Sequence, residues 1–341
     1  MSLLRLRRYR IEAHGTCARR KRGQNCSIRR QGDSLNIQRA SDCRTDNRSG
    51  SQATKAPVSV LIPSLNEERN LSACLESVGW ADEIIVFDSH STDTTLNIAR
   101  AAGATIIQRP FDTFAAHKNW ALDNIEFRHD WVLLLDADER ITEPLATEIR
   151  TAIADSDSSM VGYYIARKTL FCGRWIRHGG VYPDYNLRLL RRGCGRYEDR
   201  LVHEHVILDG AAGYFKNHLL HDDDKGFERY LERHNHYTSL EAVEIVRLRA
   251  GKGSTSLDGD LSVPGPPRRR WLKNFAQRWL PCRPLWVFLY MYVLKAGFLD
   301  GRIGLRYCLL KMFFEYQIEI KVRELADPQS SLYRQYKPFL E

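Results

Sequence analysis

The chain has 341 residues, of which 43% are hydrophobic, and this is enough to bury a substantial core. Its formal net charge is +9, but the ends carry it: residues 1–55 hold 14 Lys and Arg against 4 acidic residues, and residues 268–323 hold 12 against 3. The middle of the chain is therefore net acidic, which argues against a nucleic-acid-binding core.

Residues 1–55 are rich in Arg, Ser, Asn, Gln and Gly and show no sustained hydrophobic periodicity. Such a segment cannot bury enough apolar surface to offset the entropy of ordering it, so we expect a disordered basic arm. Four arginines interrupt its first ten positions, which does not fit a signal peptide. The eight cysteines form no CxxC pair, so we expect reduced thiols and a cytoplasmic location.

Strands and helices alternate from Pro57 onward, as in a parallel α/β sheet. In chain order the pattern predicts strands at Val58–Ile62, Glu83–Phe87, Ala104–Gln108 and Trp131–Leu135, with helices between them, the third at Thr113–Asn124. Asp93 and Thr142 are expected to cap the helices that follow the second and fourth strands. After Gly162 the strands become shorter, and Gly226–Arg249 indicates a long amphipathic helix.

These patterns predict a catalytic domain at 56–250, a Gly- and Pro-rich linker at 251–267 and a helical amphipathic region at 268–341. The apolar run Leu285–Leu294 is about half as long as a membrane-spanning helix needs to be. The aromatic and basic residues around it are typical of an element in the headgroup layer of an anionic bilayer. The alternative is a helix packed on the protein's own core with a basic rim.

The fourth predicted strand ends in two carboxylates, Asp136 and Asp138, at the end of the run WVLLLDADER. Ligands bind beyond the carboxyl ends of strands in such sheets, and alternation sends both side chains to the same side. Their oxygens could converge on one hard cation, Mg²⁺ or Mn²⁺, that neutralises a bound diphosphate. The alternative is a pair of solvated carboxylates that open a loop.

Three segments that follow successive strands carry a family resemblance: PSLNEERNL at 63–71, FDSHSTDTT at 87–95 and LDADER at 135–140. Together they resemble the inverting family 2 glycosyltransferases over about residues 57–225. His90 stands where that family usually has glycine. The resemblance implies the GT-A fold, an α/β fold that is Rossmann-like, with a mostly parallel sheet and helices on both faces.

The resemblance also implies a UDP-sugar donor. The residues that it assigns to the nucleotide sugar are Pro63, Asn66, Glu67, Asp88, Lys118, Asn119 and Asp136. Asp88 would accept a hydrogen bond from the uracil imide, and Lys118 would meet the diphosphate. Asp136 would face the ribose or the donor sugar, and Asp138 the metal.

The segment Arg196–Val206 offers Glu198, Asp199 and Glu204 as a base that takes the proton of the acceptor hydroxyl. The subgroup that the chain most resembles has Val-His-Glu here, matched at 202–204, so we expect Glu204 to be the base and Asp199 to be the second choice. The alternative for each carboxylate is an ion pair with a neighbouring arginine.

A histidine near residue 221 can complete the metal shell in enzymes of this fold, which points to His221. Tyr182, Asp184 and Arg188 also match the subgroup and are expected to shape the donor-sugar or acceptor pocket. For Arg188 the alternative is simple pairing with a carboxylate.

The subgroup in question is the lipopolysaccharide core β-1,4-glucosyltransferases. It implies metal-dependent transfer of a sugar, glucose, from a UDP-sugar to a lipid-anchored glycan by a protein on the inner face of the cytoplasmic membrane. One alternative is a nucleotidyltransferase, but PSLNEERNL lacks the Gly-rich phosphate loop that it would need. Another is a membrane scaffold, which would not need the acids Asp88, Asp136, Asp138 and Glu204.

Overall fold

The computed structural model describes residues 55–155, 158–198, 200–202, 204–251 and 282–340. Apart from Lys55 and Gly251, the predicted basic arm and linker lie outside these residues. Asp199, the second choice of base, and His203 lie outside them as well.

The described strands are β1 (Ala56–Ser64), β2 (Ala81–Asp88), β3 (Thr105–Gln108), β4 (Trp131–Leu134), β5 (Glu139–Ile141), β6 (Met160–Phe171), β7 (Arg174–Trp175), β8 (Asp184–Arg191), β9 (Gly195–Tyr197), β10 (Val206–Leu208) and β11 (Ala211–His221). The described α-helices are α1 (Leu71–Ser77), α2 (Thr95–Ala101), α3 (Phe114–Asn124), α4 (Glu143–Ala154), α5 (Gly226–Arg249), α6 (Arg283–Leu289), α7 (Gly301–Glu324) and α8 (Ser331–Leu340).

The main sheet has the order β3-β2-β1-β4-β8-β6-β11-β5. The first four of these strands run parallel, whereas β8 is antiparallel to both β4 and β6. The predicted α/β class is therefore confirmed: the parallel part is the first half of the sheet and the second half is mixed. Because the chain leaves β1 on one side for β2 and returns on the other as β4, a crevice opens at the carboxyl ends of these strands.

Alternate residues of β1 pack on opposite faces of the sheet, as the period of a strand requires. Val60 and Ile62 join the core formed with α1 and α4, while Leu61 joins the core formed with α3. Helices thus cover both faces, and the buried side chains of β1 and β4 hold the carboxyl ends of these strands at the crevice.

Two loop residues behave differently from the simplest sequence expectation. Asp93 does bond the start of α2, accepting from the Thr95 backbone N–H at 3.0 Å, but Thr94 occupies the cap position. Thr142 occupies the cap position of α4, yet its hydroxyl donates to the His218 carbonyl at 3.0 Å rather than accepting from the helix. The Thr142 hydroxyl therefore bonds to the neighbouring strand β11 instead of capping α4.

The C-terminal helices form a layer beside α5. A π-helical turn at Tyr290–Leu294 extends α6, and α7 packs along α5, where Lys321 Nζ donates to the Asn235 carbonyl at 2.6 Å. No α-helix within the described ranges is both long and apolar enough to cross a bilayer.

Candidate active site

A cleft of about 1120 Å³ opens at the carboxyl ends of the central strands. It brings together eight of the residues that the sequence singles out: Pro63, Glu67, Lys118, Asp136, Asp138, Arg188, Glu204 and His221. These residues come from distant parts of the chain, so the fold assembles one polar site from them.

Asp136 follows β4 and forms an ion pair across the cleft floor. Its Oδ2 accepts from Arg188 Nη2 at 2.6 Å, and the same guanidinium nitrogen donates to the fully buried Glu139. Burial alone would raise the pKa of Asp136, but the charges of Arg188 and Lys118, together with the hydrogen bond from Arg188, outweigh burial and lower the pKa to about 2. Arg188 therefore keeps Asp136 ionised and fixes its direction.

Asp138 faces a second pair of cationic groups. Its Oδ2 lies 3.3 Å from His221 Nε2 and 3.5 Å from Arg233 Nη1. Burial opposes ionisation, but His221 and Arg233 hold the pKa of Asp138 well below its usual range. The sequence did not single out Arg233, because helical periodicity in α5 does not show which charged residue meets the sheet.

The residues fit a divalent cation as a two-ligand site. Within the described part of the chain no three His, Cys, Asp or Glu side chains converge as a ready-made metal cluster. Asp138 and His221 are adjacent, however, and His221 Nδ1 is buried without a hydrogen-bond partner. Mg²⁺ and similar cations are commonly held by one or two protein ligands together with substrate phosphates and water.

Lys118 and Glu204 meet on another wall of the cleft. Lys118 Nζ lies 3.0 Å from Glu204 Oε1, and the Glu204 side chain is 9% exposed. The Lys118 ammonium also lies 4.9 Å from the centre of the Tyr197 ring. Burial alone would lower the pKa of Lys118, but Tyr197 and Glu204 outweigh it and raise the pKa. The lysine stays charged and holds the Glu204 carboxylate at the cleft surface.

Asp88 ends β2 but is completely buried. Its two carboxylate oxygens accept hydrogen bonds from Ser64 Oγ at 3.0 Å, Gln108 Nε2 at 3.1 Å and the backbone N–H of Ser91 at 2.8 Å. The Ser91 hydroxyl donates as well, at 2.5 Å. Direct contact between Asp88 and a nucleobase would require one of these hydrogen-bond donors to be displaced.

Like Asp88, four other residues that the sequence predicts to bind the donor or the acceptor lie outside the cleft lining, and each has another partner. Asn66 accepts from the Thr92 backbone N–H at 2.9 Å, and Asn119 exchanges two hydrogen bonds with the backbone of Tyr197, at 2.9 and 2.8 Å. Asp184 pairs with Arg167 at 2.9 Å.

Tyr182 is the fourth of these residues. Its ring packs edge-on against Trp175, with the ring centres 5.1 Å apart. The four side chains thus fasten loops and strands that border the cleft.

An aromatic stack that the sequence did not indicate lies beside the cleft. His117 lies 4.1 Å from the Phe87 ring centre, and Trp120 stacks on the same phenylalanine at 5.6 Å. Of these three residues, His117 lines the cleft. The sequence did not indicate that His117 would line the cleft, because the polar and apolar residues of α3 are not clearly separated on opposite faces of the helix.

Similarity to known proteins identifies the chain as a glycosyltransferase. Residues 59–219 match the family model described as glycosyl transferase family 2. The lipopolysaccharide core biosynthesis glycosyltransferase LpsC of Rhizobium meliloti is 34% identical over 199 residues, which cover 56% of this chain and 73% of that protein. The chain belongs to glycosyl transferase family 2.

Two further similarities extend over more of the chain. An uncharacterised glycosyltransferase of Rickettsia typhi is 25% identical over 282 residues, 79% of this chain and 87% of that protein. The solved mannosyltransferase PcManGT from Pyrobaculum calidifontis, in complex with GDP-Man and Mn²⁺, shares 14% identity over 80% of this chain and 88% of its own, with a TM-score of 0.44. That structural likeness is too distant to assign a substrate. Family membership sets aside the nucleotidyltransferase and scaffold alternatives.

Proposed function

We propose that this glycosyltransferase moves a hexose, glucose, from a UDP-sugar to a hydroxyl of a lipopolysaccharide core or a similar lipid-anchored glycan, with inversion at the anomeric carbon. One observation carries the proposal: the Lys118–Glu204 pair shares a cleft with Asp136, Asp138 and His221. A base and a diphosphate site within one cleft are what direct displacement by a hydroxyl requires. The 34% identical relative, a lipopolysaccharide core biosynthesis enzyme, supports the acceptor class.

In this proposal Asp138 and His221 hold Mg²⁺ or Mn²⁺, which when bound stabilises the negative charge that develops on the leaving diphosphate. Asp136, held by Arg188, faces the ribose or the donor sugar. His117 and the loops fastened by Asn66 and Asp88 shape the nucleoside end. Glu204 takes the proton of the acceptor hydroxyl as that oxygen attacks, and Lys118 keeps the carboxylate in position.

The test is transfer of hexose from UDP-glucose to deep-rough lipopolysaccharide, followed by mass spectrometry of the core. Glu204→Gln should lower kcat at least about 100-fold, because loss of a general base typically costs that much, while UDP affinity is retained. Glu126→Gln, an exposed glutamate before β4, is the matched control. Transfer by Glu204→Gln at the wild-type rate would remove the base from the proposal.

We also propose that the C-terminal layer docks on the inner face of the cytoplasmic membrane. One face of α7 carries four large side chains at helical spacing that are 41–52% exposed: Leu309, Phe313, Tyr316 and Ile320. Arg302 and Arg306 continue the same face towards the start of the helix and are exposed. An apolar stripe with a basic end suits the boundary between anionic headgroups and acyl chains.

Further exposed apolar side chains precede α7. They are Leu285, Trp286, Leu289, Tyr290, Val293, Leu294, Phe298 and Leu299. Exposed apolar surface of this extent is uncommon on a soluble monomer and supports a membrane contact.

A further inference from the structure

The cleft side of α7 presents an amine whose partners are all aromatic. Lys311 lines the cleft, with Nζ 5.4 Å from the centre of the Tyr307 ring and 5.9 Å from that of Phe314. Within the described part of the chain no carboxylate forms an ion pair with it. An ammonium has three donors to satisfy, and a partly buried one without a counter-charge is costly.

Donors from other elements surround the same spot. Arg167, Tyr230 and Tyr307 line the same cleft as Lys311, and the centre of the Tyr230 ring lies 6.2 Å from that of Phe314, the ring that Lys311 also approaches. Arg167 pairs with Asp184 through Nη2, which leaves its Nε buried without a hydrogen-bond partner. Burial raises the pKa of Tyr230 to about 12, so its hydroxyl is a donor at neutral pH. An ammonium, a guanidinium N–H and phenol hydroxyls therefore line this wall of the cleft.

We infer that Lys311, Arg167 and Tyr230 form a binding site for an anionic group, a phosphate or a carboxylate, that the acceptor carries. The inference rests on the proposed function, since it places this group on the acceptor glycan. Charge-assisted hydrogen bonds to phosphate or carboxylate are the strongest that such donors make.

The position of α7 favours the acceptor over the donor as the source of the anion. The cleft wall with Lys311 belongs to the same helix whose opposite face carries the exposed Leu309 and Phe313. A glycan anchored in a membrane beneath that face reaches the cleft along α7. In the proposed function the donor diphosphate lies instead at Asp138 and His221, an adjacent pair that does not belong to α7.

The test is calorimetric titration of inorganic phosphate, and of glucose 6-phosphate, into the full-length protein saturated with UDP and Mn²⁺. Lys311→Met should weaken phosphate binding at least tenfold, the loss expected for one charge-assisted hydrogen bond, and Lys311→Arg should restore most of it. UDP affinity should not change in either variant. Lys216→Met, an exposed lysine on β11, is the matched control.

Three results would overturn the inference: no phosphate binding to the wild-type protein, unchanged phosphate binding in Lys311→Met, or a parallel loss of UDP affinity, which would assign the amine to the donor diphosphate. If Lys311→Met does not fold, Tyr230→Phe tests the site, because it removes only a hydroxyl and keeps the ring. A change of less than twofold in the phosphate affinity of Tyr230→Phe would also count against the site. Phosphate binding is also measured without UDP, so that failure of this site can be told apart from failure of the proposed function. Failure of the proposed function alone would appear as absence of UDP binding while phosphate still binds.

Discussion

His90 stands in a loop position that the family usually fills with glycine, and the structure shows what this costs. Its φ is +63°, in the left-handed region, where a side chain is disfavoured by about 1–2 kcal/mol. Asp88 holds the turn around His90, because it accepts a hydrogen bond from the backbone N–H of Ser91, the next residue. The Asp88 network thus holds a strained residue in place.

His90→Gly should therefore raise the free energy of unfolding by about 1 kcal/mol, since glycine adopts this φ without strain. Urea denaturation of the two proteins at neutral pH measures the change. Thr92→Gly, in the same loop at a position without a positive φ, should instead lower stability. A destabilised His90→Gly would mean that the imidazole makes a contact worth more than the strain.

His117 gives the fold a dependence on pH. Burial, and then the charge of Arg109, lower the pKa of His117 from 6.5 to about 4. The folded state therefore keeps the ring neutral at pH 5, whereas the unfolded state protonates below 6.5. Its contribution to stability is intact above pH 6.5 and is lost as the pH falls from 6.5 towards 4.

Between pH 7 and pH 5 this residue alone should lower the free energy of unfolding by about 2 kcal/mol. Urea denaturation at the two pH values checks this, with His117→Gln as the comparison, because glutamine does not titrate. Equal pH dependence in both proteins would show that other groups are responsible.

At the scale of elements, part of the site could be predicted because its residues follow the carboxyl ends of predicted strands. Buried parallel strands bring their carboxyl ends to one edge, so Pro63 and Asp136 could be expected in one place before the structure was known. The two-residue period of a strand also predicts which side chains of β1 lie on the same face of the sheet. The preference of threonine for helix caps did not predict the hydrogen bond of Thr142, whose hydroxyl donates to the backbone of β11 instead of capping its own helix.

The rest of the cleft depends on how elements pack, which the pattern along one chain does not contain. A register shift between β6 and β8 occurs at Arg188, which lies on the cleft floor, while Asp184 pairs with Arg167 and does not itself line the cleft. Arg233 and Lys311 belong to helices whose periodicity identifies a polar face but not its neighbour. Glu139 was visible in LDADER, yet nothing in that motif marked it as the buried partner of Arg188.

The apolar face of α7 leads to a prediction about membrane binding. Leu309→Asp with Phe313→Asp should reduce co-sedimentation with phosphatidylglycerol-containing vesicles at least tenfold, because it removes apolar contact and adds negative charge. UDP release from UDP-glucose in detergent-free solution should not change. Asn97→Asp with Asn124→Asp adds the same charge on helices of the catalytic sheet, with Asn124 exposed, and should still bind. Equal loss in both would mean that net charge alone governs association.

At the scale of the whole molecule, the acidic centre and the basic C-terminal segment belong to different tasks in one proposal. The central strands assemble a cleft in which three carboxylates each have a basic neighbour: Arg188 for Asp136, His221 for Asp138 and Lys118 for Glu204. The C-terminal helices supply both a cleft wall and an exposed apolar face. A transferase that works on a lipid-anchored acceptor needs both features side by side.

The most direct measurement is UDP release from UDP-glucose by the purified protein, with Mn²⁺ or Mg²⁺ and again with a chelator. The account predicts slow release that requires the metal, is abolished in Asp138→Ala and persists in Asp130→Ala, whose carboxylate is 88% exposed just before β4. Metal-independent release, or release by Asp138→Ala at the wild-type rate, would contradict the claim that Asp138 and His221 form the metal and diphosphate site.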